Sequence, residues 1–321
     1  MRRQSTQSKI VIVALVANLG IALAKFIAAA ITGSSAILSE GIHSLVDTIN
    51  ELLLLHGVRR AAKAPDKSHP FGYGRELYFW SFVVSLLVLA LGAGVSFYEG
   101  ISHLLAPQPI ESPLINYAVI AVSFLFEGMS FLFTLRRFRA TKGDQGYFEA
   151  FRNSKDPSTF TVLFEDFAAL VGLLIALAGI VGAQFLALPQ LDGIASIGIA
   201  VVLAISSLLL ARETKALLIG EPADRGIRES IMRIADADIA IRHANGVITS
   251  QLGPQQIVAA LSAEFEDDLT TGDIETSVNR IEDAIRKAHP DIAVLFIKPQ
   301  TSETWQRRSE SIGRRPGNRP P

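Results

Sequence analysis

Six stretches of this chain, roughly residues 10–31, 36–57, 77–104, 114–135, 160–183 and 193–211, meet the ~20-residue apolar length that a bilayer crossing requires. Composition agrees, with 49% hydrophobic residues and a mean hydropathy of +0.34. The intervening loops alternate in charge. Thr32–Ser35, the loop around Pro107–Pro113 and Gly182–Asp192 carry no Lys or Arg. The others are basic: Arg2, Arg3 and Lys9 precede the first span, and Arg59, Arg60, Lys63 and Lys67 follow the second. Arg136, Arg137, Arg139, Lys142, Arg152 and Lys155 separate the fourth from the fifth, and Arg212 and Lys215 follow the sixth. The positive-inside rule then predicts both termini in the cytoplasm. No small-residue cleavage site follows the first apolar run, so it reads as a retained span.

Past Pro222 the composition becomes that of a soluble domain, as the length of 321 residues allows. Residues 225–236 and 273–288 have helical spacing, for example Ile274, Val278, Ile281 and Ile285. Val247–Leu252, Val258–Phe265 and Ile292–Ile297 read as strands, the first two joined at Gly253-Pro254. The expected order is helix, strand, strand, helix, strand: a small α+β module with one sheet backed by two helices. The expected domains are 1–220, a six-helix all-α transmembrane domain, and 221–300, the cytosolic module. The tail 301–321, rich in Arg, Ser, Gly and Pro, is expected to be disordered.

Chemistry concentrates in the second span. His43 and Asp47 lie one turn apart in Ser39-Glu40-Gly41-Ile42-His43-Ser44-Leu45-Val46-Asp47, so imidazole and carboxylate share a helix face. Such groups are costly in hydrocarbon and usually mark an ion or proton pathway. The alternative is that they bond each other or a neighbouring helix and only support packing. The chain has no cysteine, so a metal site must use His, Asp, Glu, Asn or backbone oxygen. Two ligands on one helix are half of a tetrahedral zinc site, and a second helix must supply the rest. The net charge of −1 gives no reason to expect nucleic acid.

Six spans, both ends inside, His-x-x-x-Asp in the second span and a compact cytosolic α+β domain together resemble the cation diffusion facilitator family. Local motifs carry the resemblance: Gly33-Ser34-Ser35-Ala36-Ile37-Leu38-Ser39-Glu40 before His43, His69-Pro70-Phe71-Gly72-Tyr73-Gly74-Arg75-Glu76, Asp192-Gly193-Ile194-Ala195-Ser196, and Leu217-Leu218-Ile219-Gly220-Glu221. Leu252-Gly253-Pro254 and Phe296-Ile297-Lys298-Pro299 resemble strands of that family's ferredoxin-like domain. Asp156-Pro157, Val162-Leu163-Phe164-Glu165-Asp166 and Ala168-Ala169-Leu170-Val171-Gly172 are most similar to the zinc transporter nine branch. Most members carry a second His-x-x-x-Asp or Asp-x-x-x-Asp on the fifth helix. This chain has only the adjacent acids Glu165 and Asp166 there, which leaves the fourth ligand and the metal preference open.

Neighbours on a helix diverge by about 100°, so Glu165 and Asp166 cannot both face one ion squarely. Asp166 is favoured as the ligand, because it lies a turn from Val162, with Glu165 orienting it or receiving a proton. The alternative is that both acids are hydrated and cap a helix starting near Ser158. Asn18, Lys25, Asn50, Glu51, Glu99 and Glu127 are further intramembrane polar groups. Asn50 is read as an accessory to Asp47, Lys25 as the partner of Glu40 or Glu127, and Glu99 as interfacial. His69 fits either a receiving site or a structured turn. His243 and His289 read as unliganded, with a regulatory site involving Asp236 or Asp291 as the alternative. The run Glu264-Phe265-Glu266-Asp267-Asp268 reads as a solvated strand end.

The expected activity is efflux of a divalent cation by proton antiport, with His43, Asp47, Asp166 and Glu165 as the metal set and His43 as the coupling group. Zinc suits imidazole plus carboxylates; manganese, cobalt and iron(II) suit the oxygen-rich fifth helix. No permanently bound cofactor is expected. The partners are the metal cation, protons and the bilayer, and the resemblance implies a homodimer touching through its C-terminal domains. Two other classes compete: a non-transporting scaffold or metal sensor with a decayed fifth-helix site, and an intramembrane metalloenzyme. The second lacks His-Glu-x-x-His or any equivalent. The setting expected is a bacterial cytoplasmic membrane, with an organelle membrane as the alternative.

Overall fold

A computed structural model of the chain describes residues 2–141, 146–147, 150 and 154–313. Lys142 and Arg152 of the basic loop, and residues 314–321 of the tail, lie outside the described residues. The described chain divides into two units, Met1–Ala61 with Glu76–Lys215 and Ala62–Arg75 with Ala216–Pro321. The connector after the second helix thus belongs with the C-terminal unit.

The first unit is helical: α1 (Arg2–Thr32), α2 (Ser35–Ala61), α3 (Arg75–Leu105), α4 (Pro113–Thr141), α5 (Pro157–Phe185) and α6 (Gln190–Ile219). Starts follow local chemistry. Asp156 accepts a hydrogen bond from the Ser158 amide at 3.1 Å, and Pro157, whose missing N–H costs nothing there, opens α5. In mid-course α3 widens into a π-helical stretch, Val88–Ala93, which packs against α2. Among the described residues, Arg75–Leu105, Pro113–Ala140, Pro157–Phe185 and Gln190–Ile219 are long and apolar enough to cross a membrane. Of the remaining two expected spans, α1 contributes a shorter apolar run, Asn18–Thr32, among the described residues, and α2 is interrupted by charge. Lys25 lies on α1, and Glu40, His43, Asp47 and Glu51 lie on α2.

Burial explains how α2 tolerates that load. Its buried residues, among them Ser39, Glu40, His43, Ser44, Val46 and Asn50, run around the helix rather than along one stripe. It packs against α1, α3 and α5. Ala36, Ile37 and Val46 enter one core with Val88 and Ala93 of α3, Leu173 and Ala176 of α5, and Ile199 and Leu203 of α6. The apolar side chains that remain exposed, such as Leu23 and Ile27 on α1, Leu125, Met129 and Phe133 on α4, and Val201 and Ile205 on α6, form large outward faces suited to lipid.

The C-terminal unit contains α7 (Arg225–Asp236), β1 (Ile241–Gly253), β2 (Gln256–Phe265), α8 (Thr271–Ala288), β3 (Ile292–Pro299) and α9 (Ser302–Gly313). The sheet order is β1-β2-β3, with β1–β2 an antiparallel hairpin and β2–β3 parallel across the α8 crossover. Ile231 and Ala235 of α7 and Ile281 and Ile285 of α8 fill the core over Ile257, Leu261 and Leu295. Thr270 and Asp273 form a reciprocal capping box at the start of α8.

The tail departs from expectation, because residues 302–313 form a helix instead of a disordered segment. Its start is tied to the sheet: Ser302 donates from its amide (2.9 Å) and hydroxyl (2.7 Å) to Glu264. The Trp305 ring lies on Gly246, where a Cβ would stand 2.5 Å from it. A composition count cannot register one such aromatic anchor.

Candidate metal centre

Two polar rows run along α2, and they meet different neighbours. The row Glu40–Ser44 faces α1. Lys25 Nζ donates to Glu40 Oε2 at 3.1 Å and to Ser44 Oγ at 2.8 Å, with the lysine and glutamate side chains fully buried. The Glu40 carboxylate presses on α5 at Gly172, where any Cβ would collide with Oε1. This is the expected Lys25–Glu40 pair, with Ser44 as an additional acceptor.

The second row holds His43, Asp47 and Asn50. His43 Nδ1 and Asp47 Oδ1 are 3.4 Å apart, and His43 is 1% exposed. Neither ring nitrogen of His43, nor Asp47 Oδ1, has a hydrogen-bond partner among the described residues. The pair touches at ion-pair distance without a hydrogen bond, so the packing alternative is met only by that one contact. Buried polar atoms are nearly always paired in folded proteins, so each exception asks for a reason.

Opposite this row stands the first third of α5. Glu165 Oε1 accepts from Asn50 Nδ2 at 2.8 Å, which ties that acid to α2. Asp166 Oδ2 accepts from Ser130 Oγ on α4, also at 2.8 Å. The adjacent acids therefore turn to different helices, as a 100° step requires. Both are buried. The helix cap is Asp156, about two turns earlier, so the capping role considered for Glu165 and Asp166 falls to another residue. Asp47 lies within electrostatic range of Glu165, Glu127 and Asp166. In this conformation no three His, Asp or Glu side chains among the described residues converge as a metal-binding group. The arrangement is a His–Asp pair on α2 with unpaired lone pairs, facing acids that two neutral side chains hold in place.

The other polar positions, Glu99 and Glu127 apart, have local partners. Glu51 accepts from Asn18 at 2.9 Å. His69 belongs to a folded turn in which Asp66 accepts from the Ser68 and His69 amides and from the Tyr73 hydroxyl. That hydroxyl and those amides hold the Asp66 carboxyl below its ordinary range. His243 stands 3.9 Å from Asp236, and His289 Nε2 lies 2.8 Å from Ser230 Oγ. Glu266 and Asp267 of the acidic run bind Arg242. The sequence reading did not find Ser130, and no spacing rule marks a serine on a lipid-facing helix as the partner of an acid on the next one.

Residues 11–219, more than half of the chain, match the family model described as the cation efflux transmembrane domain. The proton-coupled zinc antiporter SLC30A9, mitochondrial, of Xenopus laevis is 32% identical over 299 residues, covering 90% of this chain and 53% of that protein. The Homo sapiens protein of the same name is 32% identical over 266 residues, covering 82% and 47%. The cation-efflux pump FieF of Cronobacter sakazakii is 27% identical over 265 residues, covering 83% of each. The chain thus spans about half the length of the SLC30A9 relatives it matches. Family match and relatives agree with the residue motifs around His43, His69 and Asp192: the chain belongs to the cation efflux, or cation diffusion facilitator, family of membrane transporters, which are not enzymes, and is similar to its zinc transporter nine branch.

Proposed function

We propose that the chain carries a divalent transition cation, zinc first, out of the cytoplasm in exchange for protons. His43 and Asp47 would hold the ion with Glu165 and Asp166. The observation that carries this reading is the His43–Asp47 pair, His43 buried and Asp47 17% exposed, in which both imidazole nitrogens and Asp47 Oδ1 lack a hydrogen-bond partner. Imidazole and carboxylate lone pairs bind either a metal or protons, so a site of this composition exchanges one for the other. Glu165 is the acid tied to α2 through Asn50, which makes it the nearer candidate to join His43 and Asp47. Asp166, held by Ser130, would follow by movement of α5 relative to α2. Manganese, cobalt and iron(II) are the alternative cargoes, since three of the four ligands are carboxylates.

The same proposal includes six membrane spans, with α1 and α2 crossing as a charged pair shielded by the other helices. It includes both termini on the cytoplasmic side, a ferredoxin-like C-terminal domain, homodimerisation, and a bacterial cytoplasmic membrane as the setting. The basic loops support the spans and the placement of the termini, and the order helix-strand-strand-helix-strand supports the ferredoxin-like domain; homodimerisation rests on the family resemblance alone. A scaffold or sensor is the second reading, favoured by the lack of a converged ligand triad among the described residues.

Zinc uptake into proteoliposomes under an imposed proton gradient tests the proposal, comparing wild type with Asp47→Ala and Glu165→Ala/Asp166→Ala. Flux in wild type and none in either variant is the expected result. Loss in Asp47→Ala alone removes the α5 acids from the site. Flux indifferent to the gradient removes the antiport, and silence to zinc, manganese and cobalt alike leaves the scaffold.

A further inference from the structure

A second His–carboxylate pair lies at the end of the helical unit that carries the α1–α2 turn. Glu99 and His103 on α3 are four residues apart, hence on one helix face. Both line a cavity of about 570 Å³ that is also bordered by Ser34, Ser35, Ser102 and Gln108. The His103 side chain is only 9% exposed; its buried Nε2 atom faces Asp192 without a hydrogen bond, which leaves Nδ1 as the nitrogen for an ion in the cavity. Nothing in the α2–α5 centre uses it: Ser35 stands eight residues before His43, roughly 12 Å along α2 at 1.5 Å per residue.

Behind His103 is a fixed carboxylate. Asp192, fully buried in the first turn of α6, has Oδ2 3.8 Å from His103 Nε2. Its oxygens also hold the start of α2, accepting from Ser34 Oγ (2.7 Å), from the Ser35 amide (2.5 Å) and hydroxyl (3.0 Å), and from the Ala36 amide (3.4 Å). Ser196 Oγ donates to Ser35 Oγ at 2.9 Å and closes the network. The backbones of α3 and α6 touch here. A Cβ at Gly100 would stand 2.9 Å from the Gly193 carbonyl oxygen, and one at Gly193 would stand 3.0 Å from that of Gly100. Neither helix can slide without breaking that contact, so the spacing between His103 and Asp192 is set by the scaffold.

At 3.8 Å His103 and Asp192 are at ion-pair distance without a hydrogen bond; closing that gap would let the carboxylate fix the imidazole's orientation and raise its basicity as a metal ligand. Imidazole, carboxylate and hydroxyl oxygen in one cavity form a donor set for a borderline divalent cation. Asp192 is committed to α2, so only Glu99 and His103 are free to ligate through charged or imidazole groups, with serine oxygens and water filling the other positions. We propose that Glu99 and His103 form a second, weak divalent-cation site in this cavity, with Asp192 as the positioning residue behind His103. The site's assignment to the release side of the membrane rests on the efflux reading above; ion binding in the cavity does not.

The test is Co²⁺ binding to the full chain in lipid nanodiscs, followed by equilibrium dialysis and by the visible absorption of the bound ion. The Asp47→Ala protein is used so that the α2–α5 centre is disabled. It should retain one weakly bound Co²⁺, and Glu99→Gln and His103→Gln should each weaken that ion tenfold or more. Asp192→Asn keeps an oxygen for the α2 amides and should weaken binding about 10–100-fold, with a changed Co²⁺ spectrum. An unchanged spectrum would remove Asp192 from its positioning role. Absence of Co²⁺ from the Asp47→Ala protein, or unaltered binding after Glu99→Gln and His103→Gln, would overturn the site. A second measurement needs no substitution at the cavity: Zn²⁺ should protect His103 of the wild-type chain from diethylpyrocarbonate, read by mass spectrometry. Unprotected, reactive His103 would also overturn the site. Failure of the efflux reading appears instead as silent wild-type liposomes, whatever His103 does.

Discussion

In the C-terminal unit Asp238 accepts from the Arg280 guanidinium at 2.6 and 2.7 Å and from Ser277 at 3.0 Å. On α2 Asp47 stands 3.4 Å from His43, and its Oδ1 accepts nothing. The first acid, its side chain 6% exposed, is fully paired and joins α8 to the turn before β1. The second is held among other acids inside a helix bundle. Removing charge from water is costly unless pairing and hydrogen bonding compensate. The bundle does compensate elsewhere: one turn from His43, Lys25 neutralises Glu40 within bonding distance. The same helix thus carries one solved and one unsolved electrostatic problem. A group left unsolved so close to a solved one fits a site that must accept and release an ion, because full internal pairing would compete with the cargo.

The strongest way to break this comparison is Asp47→Asn, which should abolish zinc flux in proteoliposomes while leaving thermal unfolding in detergent unchanged or raised. A variant that loses flux and unfolds earlier would make Asp47 a structural acid like Asp238. Next in size, Lys25→Met leaves Glu40 buried and unpaired and should destabilise the chain by about 3–5 kcal/mol. Adding Glu40→Gln should recover most of that loss, as read from the unfolding midpoint. No recovery would mean that lysine packing, not charge pairing, is what α1 supplies.

Smaller still is Arg280→Ala, expected to cost about 1–3 kcal/mol, since the arginine is half exposed but leaves the buried Asp238 carboxylate without its bidentate partner. Its pH signature is more telling. The Arg280 hydrogen bonds, with the Ala240 amide and Ser277, hold the Asp238 carboxyl below the ordinary value of 3.8. A depressed carboxylate contributes its stability fully above that ordinary value and loses it as pH falls beneath it. The protection factors of the α8 amides in the full chain, corrected for the intrinsic exchange rate at each pH, should therefore fall on acidification, and Arg280→Ala should flatten that dependence. An unflattened profile would mean that the pairing on the surface of this unit is no better satisfied than that on α2.

Much of this protein was legible before any coordinates. The apolar runs, the basic loops and the strand-and-helix order after Pro222 follow from local patterns, and a local pattern is what a one-dimensional string preserves. His43 and Asp47 were visible for the same reason, since four residues on a helix fix a shared face whatever surrounds it. The presence of Glu165 and Asp166 was equally plain.

Direction and company were not. Which acid turns to α2 depends on Asn50, and which turns to α4 depends on Ser130, a contact between residues 36 positions apart. Lys25 could be assigned to an acid by cost alone, but the choice of Glu40 with Ser44 came from how α1 lies on α2. Glu99 read as interfacial until α6 brought Asp192 behind His103 and the α1–α2 turn closed a cavity around the pair. The helix at 302–313 hung on one tryptophan reaching β1. Apolar runs, charged segments and the helical alignment of two ligands depend on near neighbours along the chain, so they are readable from the residues alone. Which buried charges are compensated and which are left for an ion depends on groups that folding brings together from far apart.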